Sequence, residues 1–176
     1  MFSLDKHTAK VTHASLTAEN HGKDSHATGM TLKFKTNIDA GLLDSFDKNL
    51  RKTMFRKQTT GDQLDIERSN DGLVAVKFPK LAPFSWTEEF PGYEAEIGAV
   101  GLGLTDPIQI VDATLKGISF RALEGGSVEL VASLYFHPDE DEVGPLARLM
   151  KEEAELTLTP PTAQTKAAND DLADAA

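Results

Sequence analysis

Residues 108–136 read IQIVDATLKGISFRAL, then EGG, then SVELVASLYF, and this stretch decides the fold class. In the second arm, the side chains at 128, 130, 132, 134 and 136 are apolar without a break. In the first arm, the alternation changes phase near Asp112 and again near Gly117. Alternation with a period of two indicates strands with one buried face, and a change of phase indicates a β-bulge. The stretch predicts a long antiparallel hairpin with at least one bulge.

Shorter strand patterns lie on both sides of this hairpin. Alternation over 30–36, an Asp-Gly pair before 73–78 and alternation over 154–158 each indicate a strand. Further expected elements are strands at 9–16, 63–67 and 93–104, a loop over 19–29 and an edge strand or packed loop over 79–91. We therefore expect an α+β domain, mainly antiparallel β, with an OB-like or related small barrel or sandwich.

One or two short helices complete the expected domain. The first begins after Asp39 and continues to about Lys57, because apolar residues recur there at steps of three and four. Its apolar stripe consists of Leu43, Phe46, Leu50 and Met54. The second covers about 143–151, where the apolar spacing is again helical.

The length and composition fit one domain with a short tail. A chain of 176 residues with 40% hydrophobic residues supplies one core, whereas two cores would each be short of apolar surface. Residues 162–176 hold one leucine among Ala, Thr and Asp, so they have no apolar face to bury. We expect a single β-rich domain over 1–161 and a disordered acidic tail over 162–176.

Cysteine usage and apolar run length bear on the compartment. The chain has no cysteine, which excludes a disulfide framework, thiolate metal ligands and thiol nucleophiles. The longest apolar stretch, Ile97–Leu104, is short and contains three glycines. These features predict a reducing, cytoplasmic location without a membrane partner.

The charge is distributed unevenly along the chain. The net charge of −10 argues against non-specific binding to duplex DNA, where affinity depends on neutralising phosphates. Residues 30–58 nevertheless hold seven basic and three acidic residues, whereas 59–161 hold seven basic and nineteen acidic ones. The cations assigned to the expected first helix are Lys48, Arg51, Lys52, Arg56 and Lys57. Such an asymmetry is typical either of a face that meets an anion or of a solvated helix.

No recognisable catalytic or metal-binding pattern is present. The five histidines lack ligand spacing, and the partial calcium-loop pattern from Asp139 has Val143 and Met150 where oxygen ligands are needed. The glycines at 98, 101 and 103 are not in the order of a dinucleotide fingerprint. We therefore expect no metal, no cofactor and a non-enzymatic function.

Basic residues together with aromatics suggest a ligand class. Proteins hold single-stranded nucleic acid with cations on the phosphates and aromatic rings stacked on the bases, with little sequence preference. The five cations above would contact the phosphates, and Phe84 and Trp86 would stack on the bases. Burial of these aromatics in the core is the competing interpretation.

Several stretches resemble small proteins of tailed phages and prophages from DNA-replication and recombination regions. The similar stretches are AENHG at 18–22, residues 42–56 ending in MFR, DATLK at 112–116, LEGGSV at 123–128 and HPDE at 137–140. They are spread over most of 9–160, and none is catalytic in kind. The body is also loosely similar to phage single-stranded DNA-binding proteins, although the tail does not end in a bulky apolar residue as the bacterial proteins do.

These resemblances imply a phage DNA-metabolism accessory protein that binds single-stranded DNA. Phage or host replication and recombination proteins are further expected partners, through the acidic tail, and self-association stays open. Two alternatives also stay open. One is an anti-defence inhibitor whose acidic surface mimics nucleic acid and binds a host protein. The other is a structural virion component.

Overall fold

The computed structural model describes residues 1–20, 26–59, 72–98 and 106–161. Its strands are β1 (Leu4–Asn20), β2 (His26–Asp39), β3 (Phe55–Lys57), β4 (Leu73–Val76), β5 (Phe84–Trp86), β6 (Phe90–Gly98), β7 (Ile108–Leu123), β8 (Ser127–Phe136) and β9 (Glu153–Thr159). A 3-10 helix covers Ala40–Ser45, and two α-helices cover Leu50–Met54 (α1) and Val143–Arg148 (α2). The expected strand at 63–67 and the expected tail lie outside the described residues.

Six of these strands close into an antiparallel barrel. The order around the barrel is β7-β6-β9-β1-β2-β8, and β8 pairs with β7 to complete the ring. Closure pairs both edges of every one of these strands, which removes exposed backbone groups. The expected mainly antiparallel, OB-like small-barrel class is confirmed.

The barrel interior follows the alternation of the sequence. On β2 and β8 every second side chain is buried, and the register places Met30 opposite Phe136 and Leu32 opposite Leu134. The expected 108–136 hairpin is present, with Gly125 and Gly126 in its turn at φ 86° and 72°. Its register shifts between Lys116 and Ser119 around Gly117, as the change of phase predicts.

The first hairpin is longer than the sequence suggests. The expected loop over 19–29 is wrong at both ends, because β1 continues to Asn20 and β2 begins at His26. Cross-strand pairing extends that far, with Glu19 opposite Ala27. The polar residues there do not interrupt the strands, because the backbones of β1 and β2 pair with each other up to Asn20 and His26.

The expected helix over 39–57 is wrong in its extent. The chain forms the 3-10 helix, a turn, the single helical turn of α1 and then β3, which pairs with β4 in a two-stranded sheet that we call the ribbon. The Asp39 carboxylate caps the start of the 3-10 helix by accepting from the N–H of Gly41 at 2.7 Å. In the turn that follows this helix, the Asp47 carboxylate accepts from the N–H of Asn49 at 2.7 Å. Such side-chain bonds offer the backbone an alternative to helical pairing.

Apolar spacing in this segment still identifies the residues that face the core. Leu43 and Met54 are buried, and Phe46 and Leu50 pack against the buried cluster. Phe46 lies 5.0 Å from the rings of Phe2 and Phe120, measured between centroids. The aromatic contacts fix where the segment crosses the barrel, whatever its local backbone conformation.

Candidate nucleic-acid interface

Phe84 and Trp86, the two predicted stacking aromatics, lie on β5 at the side of the barrel. β5 pairs with β7, which places Phe84 opposite Phe120 and Trp86 opposite Ile118. Their rings lie 5.4 Å and 6.5 Å from that of Phe120, so both side chains are half-buried. The indole N–H of Trp86 donates to Glu88 at 3.3 Å. Trp86 therefore packs against the barrel, with a carboxylate at its polar edge.

The five predicted cations have three different environments. Lys48, Lys52 and Lys57 are exposed. Arg56 is half-buried and donates to the backbone oxygen of Lys57 at 3.3 Å. The side chain of Arg51 is only 13% exposed and lies 3.9 Å from a carboxylate oxygen of Asp44. The lysines of this set can reach a ligand in solvent, whereas Arg51 holds α1 against the 3-10 helix.

The segment that follows the ribbon was not predicted as part of the site. Residues 77–81 read KFPKL, and the side chains of Phe78 and Leu81 are 55% and 57% exposed. The ammonium group of Lys77 donates to the backbone oxygen of Lys52 at 3.0 Å, which joins this segment to α1. An exposed aromatic ring between Lys77 and Lys80 is thus adjacent to the predicted cations.

A pocket of about 200 Å³ lies between this segment, the ribbon and the end of β7. Its lining includes Met54, Phe78, Leu81, Phe84, Arg121 and Glu124. Glu124 accepts from the backbone N–H of Val76 at 3.3 Å, so its carboxylate is engaged in holding β4. The pocket brings predicted Phe84 together with Phe78 and the exposed Arg121.

Of the residues that sequence reasoning missed, Phe78 carries a recognisable signal. An aromatic residue between two lysines, followed at once by a proline that ends the strand, is more typical of an exposed loop than of a buried strand. Phe78 had been assigned to the end of a strand over 73–78, whereas β4 ends at Val76. Arg121 carries no such signal, because its position in the pocket depends on the pairing of β7 with β8.

The described residues hold neither a metal-binding group nor a membrane-spanning helix. Across the residues with described positions, no group of three or more histidine, aspartate or glutamate side chains could hold a metal ion. No helix of the described chain is long and apolar enough to span a membrane. Comparison with protein-family models, curated proteins and solved structures finds no match.

Proposed function

We propose that this protein is a non-enzymatic, single-stranded DNA-binding accessory protein of phage DNA metabolism. The observation that carries the proposal is the exposed ring of Phe78, which lies between Lys77 and Lys80 at the mouth of a pocket lined by Phe84 and Arg121. We call this surface, with the adjacent Lys52, the ribbon-side site.

The ribbon-side site has the two components that single-strand binding requires. Stacking of a base on an aromatic ring contributes about 1–3 kcal/mol and tolerates any base, because every base has a π-face. Lys52, Lys77 and Lys80 would contact the phosphates on either side of the stacked base. The net charge of −10 does not oppose this locally, since charges beyond a Debye length of about 8 Å are screened at physiological salt.

Trp86 has a smaller part in this site than its residue type suggests. Its ring faces Phe46 and Phe120 at 6.1 Å and 6.5 Å, and it is not among the residues that line the pocket. Phe84 lines the pocket and is half-buried. Phe84 would therefore form the floor on which a base rests, and Phe78 would provide the exposed stacking face.

Fluorescence anisotropy with labelled oligo-dT, across a salt series, tests this function. Phe78→Ala should weaken binding roughly tenfold, which corresponds to the loss of about one stacked base. Leu16→Ala is the matched control, because Leu16 is a similarly exposed apolar residue on β1. The melting temperature should stay unchanged in both variants, since neither side chain is buried.

Charge reversal gives a second test of the same site. Lys77→Glu with Lys80→Glu should abolish binding, whereas Arg148→Glu with Lys151→Glu changes the net charge equally at the α2 end and should retain it. The wild-type salt slope should be about −0.7 per phosphate contact. Failure of the wild-type protein to bind oligo-dT even at low salt would refute the function.

One observation favours the acidic-mimic alternative. Residues 139–142 read DEDE and lie at the surface directly before α2, and Glu152 and Glu153 are exposed just after it. A cluster of carboxylates on one side of a small domain is suited to a basic groove on another protein. An inhibitor would retain its activity in the Lys77 and Lys80 reversal, and would lose it when Asp139, Glu140 and Asp141 are changed to lysine.

A further inference from the structure

A second basic surface lies on the outer face of β1 and β2. It is a groove of about 570 Å³ whose lining includes Lys6, His7, Lys10, Lys35, Asn37 and Glu153, and we call it the lysine groove. Lys6, Lys10 and Lys35 are all exposed, against the single carboxylate of Glu153 in the lining. Its charge is therefore positive on a protein that is negative overall.

The backbone pairing places like charges directly opposite each other in this groove. Lys10 is the cross-strand partner of Lys35, although like charges in that position destabilise a sheet. Glu153 lies opposite Lys10 on its other side, and Glu129 contacts Lys35 at 2.5 Å. These carboxylates offset part of the repulsion, and an anion seated between the two lysines would offset the rest.

The local backbone of β1 also contributes to the groove. Lys6 has a φ of 43°, a conformation that non-glycine residues rarely adopt, and the register of β1 with β9 shifts between Leu4 and His7. The N–H of Lys6 donates to the Thr157 hydroxyl at 3.1 Å, which holds the irregularity in place. The imidazole Nε2 of His7 lies 2.8 Å from the backbone oxygen of Asn37, a contact in which that nitrogen must donate.

Strand register connects the lysine groove to the ribbon-side site. Arg121, in the pocket lining, is the cross-strand partner of Glu129 on β8, and Glu129 is in turn the partner of Asn37 in the groove. All three residues point outward from the barrel. Neighbouring strands are about 4.8 Å apart, so Arg121 and Asn37 are separated by about 10 Å across one wall.

From this register we infer that the lysine groove is the second half of the single-strand site. A strand whose bases stack at Phe78 would cross β8 over Glu129 and place later phosphates between Lys6, Lys10 and Lys35. This inference rests on the proposed function. Arg121, Glu129 and Asn37 form the row of paired residues between the two cationic surfaces, and Glu129 is the carboxylate in that row. The contact of Glu129 with Lys35 competes with a phosphate.

Oligonucleotide length separates the two halves of the site. We would compare oligo-dT of about four and about 16 nucleotides, the extremes typical of one OB fold. Lys6→Glu with Lys10→Glu should weaken binding of the long oligonucleotide roughly tenfold and change binding of the short one less than about twofold. The salt slope for the long oligonucleotide should fall by about 1.4, which corresponds to two phosphate contacts.

Glu129→Gln should act in the opposite direction. It releases Lys35 and removes a negative charge from the path, so affinity for the long oligonucleotide should rise about two- to fivefold. Arg148→Glu with Lys151→Glu again serves as the charge-matched control for the Lys6 and Lys10 reversal. The melting temperature of each variant establishes that it is folded.

The outcomes distinguish this inference from the proposed function. If the wild-type protein binds both lengths, but the Lys6 and Lys10 reversal leaves the affinity for the long oligonucleotide unchanged, the extended path is wrong and the ribbon-side site stands alone. If the wild-type protein binds neither length, the proposed function fails and this inference fails with it. Equal weakening of both lengths would show a loss of general attraction, and would also overturn the path.

Discussion

The barrel and the ribbon differ in how their strands are supported. In the barrel, six strands converge on a common interior. β7, for example, contributes three fully buried side chains, those of Leu115, Ile118 and Phe120. The ribbon has strands of three and four residues and lies against one side of the barrel. Its attachment includes two bonds to the oxygen of Val74, from the N–H groups of Gly125 and Gly126 at 3.1 Å and 3.0 Å.

This difference indicates which part of the molecule can open locally more easily. Each barrel strand is supported on both edges, so local opening of one strand disrupts two neighbours. The ribbon has only two short strands, so its opening breaks fewer backbone bonds, although Phe55 and Val76 bury their side chains in the common core. The ribbon-side site therefore lies on the more adaptable part of the protein, and the lysine groove lies on the more rigid part.

The largest expected effect tests that difference directly. Leu115→Ala should lower the free energy of unfolding by roughly 3–5 kcal/mol, because it leaves a cavity among fully buried neighbours. Met54→Ala should cost about 2 kcal/mol, since Met54 lines a pocket that is already present. Denaturant unfolding measures both. Equal costs would show that the end of α1, which lies beside the ribbon, is packed as tightly as the barrel.

A pair of glycines gives a smaller and more local effect. Gly126 and Gly72 both have a positive φ, 72° and 68°, so alanine is strained at either position, by roughly 1 kcal/mol. A Cβ on Gly126 would also lie 3.3 Å from Val74, whereas nothing in the described chain lies within 4 Å of one on Gly72. Gly126→Ala should therefore loosen the ribbon, while Gly72→Ala should show the backbone cost alone.

Amide hydrogen exchange distinguishes the effect of Gly126→Ala from that of Gly72→Ala. In Gly126→Ala we expect the amides of 74–77 to exchange faster, with the amides of β7 and β8 away from the turn unchanged. The same amides in Gly72→Ala should exchange at nearly the wild-type rate. Faster exchange throughout the barrel in Gly126→Ala would mean that the ribbon and the barrel open together, which would remove the distinction between them.

The smallest effect at neutral pH concerns a polar group inside the barrel. Burial raises the pKa of Tyr93 to about 12, and its hydroxyl donates to the backbone oxygen of Phe2 at 2.7 Å. Because the folded-state pKa lies above the unfolded value of 10.0, this contribution to stability is fully present below pH 10. It is lost as the pH rises through about 12.

Tyr93→Phe provides the comparison for that pH dependence. The variant lacks the titrating hydroxyl, so its melting temperature should fall less steeply than that of the wild type between pH 10 and about 12. The Met54→Ala variant should keep the wild-type slope, because it retains the Tyr93 hydroxyl. Parallel curves for Tyr93→Phe and the wild type would assign the alkaline loss to other groups.

The sequence predicts the barrel strands well because one physical rule controls them. Where one face is buried, period-two alternation and strand register have to agree, and even the irregularities at Asp112 and Gly117 appear as positive φ values of 54° and 60°. Barrel closure is harder to predict from the sequence. It depends on the pairing of β9 with both β1 and β6, which connects residues far apart in the chain.

The 39–57 segment shows why the rest could not be predicted. Spacing at three and four identified which side chains are buried, but a 3-10 helix and a short α-helix can present the same residues to the core. The positions of the cations followed that error. Arg51, one of the cations assigned to the expected helix, has a side chain that is only 13% exposed and lies beside Asp44. Arg121 and Lys10 gain their significance from tertiary neighbours that no local pattern encodes.

The pairing of β1 with β9 constrains how the protein is made. Leu4 lies opposite Leu158, so the second edge of β1 stays unpaired until β9 has been synthesised. Before then, β2 can already pair with β1 and β8, but the open edge of β1 could pair with another nascent chain. Pairings of such long sequence separation also fold slowly. Barrel closure is therefore coupled to the synthesis of β9.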